Sequence, residues 1–190
     1  MQGTIVALLS LHLFFGLPPP IFVTNESNQP TITRAWDKTG SRALLKVNWN
    51  WRPSLNEWRI QFNPARRGYL GMTKTKQHKI DIWVRAVHSP EDIAKTIVHE
   101  LAHAFDYKYL DANSRATWLA VRNLPANTPW WPPCDGCSDY RTGSGDFAEC
   151  VSFTLQKSGP FRSKLGPPPN KRQQNLIRMW LNELPRAVGK

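Results

Sequence analysis

Two hydrophobic periods divide the chain. Between residues 44 and 84 apolar positions recur every second residue, the spacing of a half-buried strand. Leu45, Val47, Trp49 and Trp51 alternate with Lys46, Asn48 and Asn50, which predicts a strand over 44–51. Trp58, Ile60 and Phe62 alternate with Arg59 and Gln61, and Asn63-Pro64 through Gly68 reads as a turn. Residues 69–73 suit a short strand. Ile80, Ile82 and Val84 alternate with Lys79, Asp81, Trp83 and Arg85 in the last one.

After Ser89 the period lengthens to four. Ser89 can cap a helix, Pro90 suits its first position, and Asp92 stands three residues after the cap. Ile93, Ile97, Leu101 and Phe105 then form an apolar stripe facing a core. Asp111 or Asn113 can open a second helix that ends before Pro125. Residues 125–145 read as loop. Residues 146–157 predict a third helix, and 170–184 a fourth, stopped by Pro185. Strands first and helices second predict an α+β domain with a mostly antiparallel N-terminal sheet and a helical C-terminal half.

The ends add a second expectation. From Ile5 to Leu17 the chain is nearly all apolar, and Pro18, Pro19 and Pro20 follow. That is the size of a signal-peptide core, although no Lys or Arg precedes Arg34. The expected organisation is a signal peptide over 1–20, a polar linker over 21–40 and one domain over 41–185. Export would put the domain outside the cell or in the cell envelope; without a signal it is cytoplasmic.

Composition narrows the classes. The 190 residues give room for one ordinary domain, and 41% hydrophobic against 21% charged excludes wholesale disorder. The formal charge of +11 permits contact with an anionic surface such as a cell wall. No motif for sequence-specific nucleic-acid binding accompanies it, so a DNA-associated role rests on charge alone. A monomer is expected.

The chemistry lies in the long helix, which contains His99-Glu100-Leu101-Ala102-His103. Two His at i and i+4 share a helix face and can share one metal ion, with Glu100 one step round. With only five His in the chain, chance rarely supplies this spacing on a capped helix. A zinc hydrolase needs a third protein ligand and an open position. No His follows His103, so a carboxylate is expected, from Asp106, Asp111, Asp135, Asp139, Asp146, Glu149 and Glu183. Asp146 and Glu149, at i and i+3 after Gly143-Ser144-Gly145, can share a face. Asp106, on the same helix as the two His, suits support of a ligand better than ligation.

His-Glu-Leu-Ala-His on a capped helix, after a strand and before an acidic helix, resembles the zincin metallopeptidases over residues 78–157. In the gluzincins among them the third ligand is a Glu on a later helix, and Gly145-Asp-Phe-Ala-Glu149-Cys is similar to that helix. Gly143-Ser144-Gly145-Asp146 resembles the first half of the aspzincin pattern instead, with Glu149-Cys150 departing from its second half. The resemblance implies a zinc-dependent peptidase acting on a peptide or protein. Zinc would sit on His99, His103 and Asp146, or on Glu149 in place of Asp146. Glu100 would be the general base and Tyr140 a donor to the reacting carbonyl. The strand at Ile80–Val84 resembles the edge strand that pairs with substrate. A non-catalytic, zinc-stabilised binding module on the same scaffold is the alternative.

Cys134 and Cys137 form a C-x-x-C beside Trp130 and Trp131. Three Cys are too few for a structural zinc site. In an exported chain, a disulfide from this loop to Cys150 is expected, with the Trp pair either walling a cleft or plugging the helices.

Overall fold

The computed structural model describes residues 35–134 and 136–188. The expected signal peptide, most of the expected linker and Asp135 lie outside these residues. The chain is α+β. Among the described residues there are five α-helices and one three-stranded sheet. No helix of the described residues is long and apolar enough to cross a membrane.

Helix α1 spans Ala35–Leu44, so the end of the expected linker is helical. The strand predicted over 44–51 does not form. Leu44 ends α1, the chain turns off it through bonds from the Lys46 and Val47 N–H groups to Ala43 and Leu44, and Leu45 is 87% exposed. The alternation is nevertheless real. Trp51 is buried, Val47 and Trp49 are partly buried against the core, and Asn48 and Asn50 are exposed. Alternating burial reports one covered side of the chain and needs no ladder; here Trp49 packs edge-on against Phe105, with ring centroids 6.0 Å apart.

Strands β1 (Arg59–Pro64), β2 (Gly71–Lys74) and β3 (Lys79–Val84) follow, with a single 3-10 turn at Thr75–Gln77 between the last two. The order is β1-β3-β2. β1 pairs parallel to β3, and β2 pairs antiparallel to it. The sheet is therefore mixed rather than mostly antiparallel. β3 is its centre, not its edge, because it carries the alternating core residues Ile80 and Ile82 and takes a neighbour on each side. The edge beside the site is β2.

Helix α2 spans Pro90–Tyr109 and starts on the expected capping box. Ser89 Oγ accepts from the Asp92 N–H at 3.1 Å, and Asp92 Oδ2 accepts from the Ser89 N–H at 3.2 Å. Ile93, Ile97, Leu101 and Phe105 are all buried. Each such side chain contributes about 1.5–3 kcal/mol by leaving water. Helix α3 (Ala112–Val121) is capped by Asp111, whose carboxylate accepts from the Ser114 N–H. Helix α4 (Gly143–Gln156) begins three residues before the expected start, because Thr142 caps it by accepting from the Gly145 N–H. Helix α5 (Lys171–Val188) runs through Pro185 instead of ending there. A proline removes one backbone bond, and only three helical residues follow it. The faces of α2, α3, α4 and α5 meet in a core that includes Trp118, Phe147 and Trp180.

Candidate metal centre

The middle of α2 brings His99 and His103 onto one side, with ring centroids 5.0 Å apart. Both rings point Nε2 at one oxygen, Asp139 Oδ2, at 3.0 Å from His99 and 2.7 Å from His103. His99, His103 and Asp139 each offer a ligand atom, and these atoms lie within 4.8 Å of one another. Two imidazoles and a carboxylate are a donor set that zinc accepts, and three protein ligands leave a position open.

The ring of His99 is fixed from behind. Its Nδ1 lies 3.2 Å from Glu149 Oε2, and Glu149 Oε1 is held by Lys95 Nζ and by the Arg162 N–H, both at 3.0 Å. Lys95 Nζ also donates to the carbonyl of Pro160. Burial disfavours charge on Glu149, but His99 and Lys95 outweigh it and bring the carboxyl down to about 2. Burial also disfavours a charged His99, but Asp139 and Glu149 outweigh it and hold the ring well above its ordinary value. With a carboxylate on each nitrogen, the ring without a metal carries both protons. Asp139 is pushed the other way. Despite burial, the two His hold its carboxyl far below the usual range. A cation at Nε2 would replace the proton there and leave Glu149 to hold Nδ1–H.

Asp139 sits in a loop, yet its backbone is pinned. Its carbonyl oxygen accepts from the Thr142 N–H at 2.8 Å and the Thr142 hydroxyl at 2.7 Å. Gly145 lies so close that a Cβ there would collide with the same carbonyl. The cap of α4 thus locks the loop in place.

The structure does not bring Asp146 to the histidines. It is fully buried on another side of α4. Arg122 Nε and Nη2 donate to its two oxygens at 2.8 and 2.9 Å, and the Trp118 indole and Ser163 hydroxyl donate as well. Positions i and i+3 stand about 60° apart round a helix, and here Asp146 turns to Arg122 while Glu149 turns to His99. Glu149 reaches His99, but on the side away from Asp139, where it holds the ring. Asp106 touches neither His. It accepts from Arg115 at 3.0 Å and from the Trp130 indole at 2.9 Å. Asp139 was one of seven carboxylates the sequence offered. The signal pointing to it is the Asp-x-x-Thr step that caps a helix whose third residue is glycine.

Glu100 lies beside the pair on the sheet side. Thr73 of β2 places its hydroxyl 2.8 Å from Glu100 Oε2. Burial raises the Glu100 carboxyl above its ordinary value, against the pull of both His and of Thr73. The carboxylate packs on Gly71, where a Cβ would stand 2.5 Å from Oε1. Tyr140 also faces the site, its ring edge-on to His99 with centroids 5.9 Å apart.

All these groups line one cleft of about 1070 Å³. Its floor is the Thr96–Tyr107 face of α2; one wall is β2 and its flanks, and the other is the loop from Trp131 to Tyr140. Trp131 is 42% exposed and joins that wall, while Trp130 packs inward on Gly143. So the expected plug and the expected wall are one Trp each. The disulfide joins Cys134 to Cys137 within the loop, and Cys150 is free and buried in α4. The expected bond to Cys150 is thus not made, because α4 turns that thiol toward Asp146 in the core.

No protein-family model, no curated protein and no solved structure matches this chain.

Proposed function

We propose that this protein is a zinc-dependent peptidase. The observation that carries the reading is the convergence of His99, His103 and Asp139 on one point of an open cleft, with a buried glutamate beside them. His99, His103 and Asp139 would hold the ion, and Glu149 would keep the His99 ring in register. Zinc bound there would supply Lewis acidity, lowering the pKa of a water and polarising a carbonyl. Glu100 takes the proton from the attacking water and passes it to the leaving amine. Its raised affinity for protons suits the second transfer, and Thr73 keeps its carboxylate on the cleft side. Tyr140, which lines the cleft edge-on to His99, is the phenol that would donate to the reacting carbonyl oxygen. The free edge of β2 offers main-chain groups to an extended peptide.

The test is elemental analysis together with cleavage of an unbiased peptide library. Wild type should hold about one zinc per chain and cut peptides. Glu100→Gln should keep the zinc and lose cleavage by several orders of magnitude. Zinc retained without cleavage by the wild type would return the protein to a metal-stabilised binding module. Absence of zinc binding would remove both readings.

A further inference from the structure

The charges along the cleft do not balance once its internal pairs are set aside. Lys74 is held by Asp81 at 2.7 Å, Lys95 by Glu149 at 3.0 Å and Arg115 by Asp106 at 3.0 Å. The acids Glu100 and Asp139 are engaged by Thr73 and by the two His. Lys76 also lines the cleft without a hydrogen bond or ion pair among the described residues, but it is exposed to water. Arg162 differs from all of these. It lines the cleft half-buried, and its guanidinium makes no hydrogen bond and no ion pair among the described residues. Asp92 senses its charge, but the two do not pair: Oδ2 of that carboxylate accepts from the Ser89 cap, and no bond joins Asp92 to the guanidinium among the described residues.

The position of Arg162 is nonetheless fixed. Its N–H donates to Glu149 Oε1 at 3.0 Å, and the other oxygen of that carboxylate holds His99. Its backbone is therefore one carboxylate away from the ring of a metal ligand. Removing a guanidinium from water without a partner is costly, and its planar fork of donors matches a carboxylate. The cleft floor from Thr96 to Tyr107 is roughly 16 Å long at the helical rise, enough for about five extended residues. His99 and His103 lie within that span, and Arg162 joins it at the Lys95 end.

We infer that Arg162 receives a carboxylate of the substrate within a residue or two of the bond being cut, an inference that rests on the peptidase reading. That carboxylate is either an Asp or Glu side chain or the C-terminus of the peptide.

The experiment uses matched peptides carrying Glu, Gln or Lys on either side of one scissile bond, each with a free and an amidated C-terminus. The zinc-loaded full chain should favour the Glu peptide over the Gln peptide by about tenfold or more in kcat/KM, the range of a charge-assisted pair. In Arg162→Gln this ratio should fall to about one. Because the ratio is taken within each protein, loss of folded material does not mimic the effect. A preference that follows the free C-terminus instead assigns Arg162 to the terminal carboxylate. Equal rates for all peptides in the wild type, or a preference that survives in Arg162→Gln, overturn the inference. Binding of the same peptides to zinc-loaded Glu100→Gln, read by fluorescence anisotropy, separates the two claims. Acid-selective binding lost in Glu100→Gln/Arg162→Gln, with no cleavage by wild type, sinks the peptidase and keeps the carboxylate site. Binding without selectivity sinks the site.

Discussion

The hydroxyl of Thr73 lies 2.8 Å from the carbonyl oxygen of Glu100 and 2.8 Å from its Oε2. A hydroxyl has one proton, so two ionised or carbonyl acceptors can only share it. When Glu100 is protonated, the carboxyl donates to Thr73 and Thr73 donates to the carbonyl, and every contact is satisfied. Thr73 thus serves both protonation states of the proposed base. Its pull on Glu100 is downward, against the larger upward push of burial. Thr73→Val should therefore raise the Glu100 pKa further and move the acidic limb of the kcat/KM profile to higher pH. A fall in kcat of about tenfold is expected with zinc content unchanged. An acidic limb that stays in place would show that Thr73 only packs.

The three acids around α4 should separate by what they lose. Asp139→Asn should lose zinc, because the carboxylate oxygen that both His share among the described residues goes. Glu149→Gln should keep zinc with affinity lowered about 10–100-fold, since it orients His99 rather than binding. Asp146→Asn leaves Arg122 buried beside an amide. A stability loss of about 3–5 kcal/mol is expected, with zinc per folded molecule unchanged. Elemental analysis and denaturant titration of the three variants give the ranking. Zinc lost from Asp146→Asn but kept by Asp139→Asn would reverse the assignment.

Two glycines divide the site in half. Gly145→Ala drives a methyl against the Asp139 carbonyl, so the loop must shift and zinc affinity should fall. Gly71→Ala drives a methyl against the Glu100 carboxylate, so cleavage should fall while zinc is retained. Paired metal titrations and peptide assays check this. A single pattern shared by both variants would mean that the fold, not the site, had failed.

Metal uptake should depend on pH with a definite sign. The metal-free His99 ring is held protonated well above its ordinary range by Asp139 and Glu149, despite burial. Zinc takes only the unprotonated Nε2, so binding expels a proton. Below the raised pKa, affinity should rise by about tenfold per pH unit for each proton released. Above it the dependence should flatten. Calorimetry in buffers of different ionisation enthalpy counts the protons. A count of zero at neutral pH would contradict the two-carboxylate environment of His99.

How far the sequence reached differs from residue to residue. The capping box at Ser89 and Asp92, the stripe through Phe105 and the pair His99 and His103 are set by local spacing, so α2 was legible before any fold. The strands at Ile60 and Ile80 were legible for the same reason, but their order was not. Alternation says which side is buried, not which strand is adjacent, so β3 moved from edge to centre. Trp49 and Trp51 show the same limit, since a chain outside any sheet can bury alternate residues against the core. Asp139 was hidden because a loop residue has no period. Asp146 looked better placed because i, i+3 spacing is visible, while the buried Arg122 that claims it lies 24 residues away.

The exposed border of the sheet also bears on how copies of this chain meet. A strand with unpaired main-chain groups invites pairing with the same strand of a second molecule, the first step of sheet-by-sheet aggregation. β2 is only four residues long, ends in Lys74, and leads into Lys76 across the 3-10 turn. Lys74 is held by Asp81, so exposed Lys76 is the charge that two such borders would bring together over a short ladder, and that repulsion disfavours their pairing.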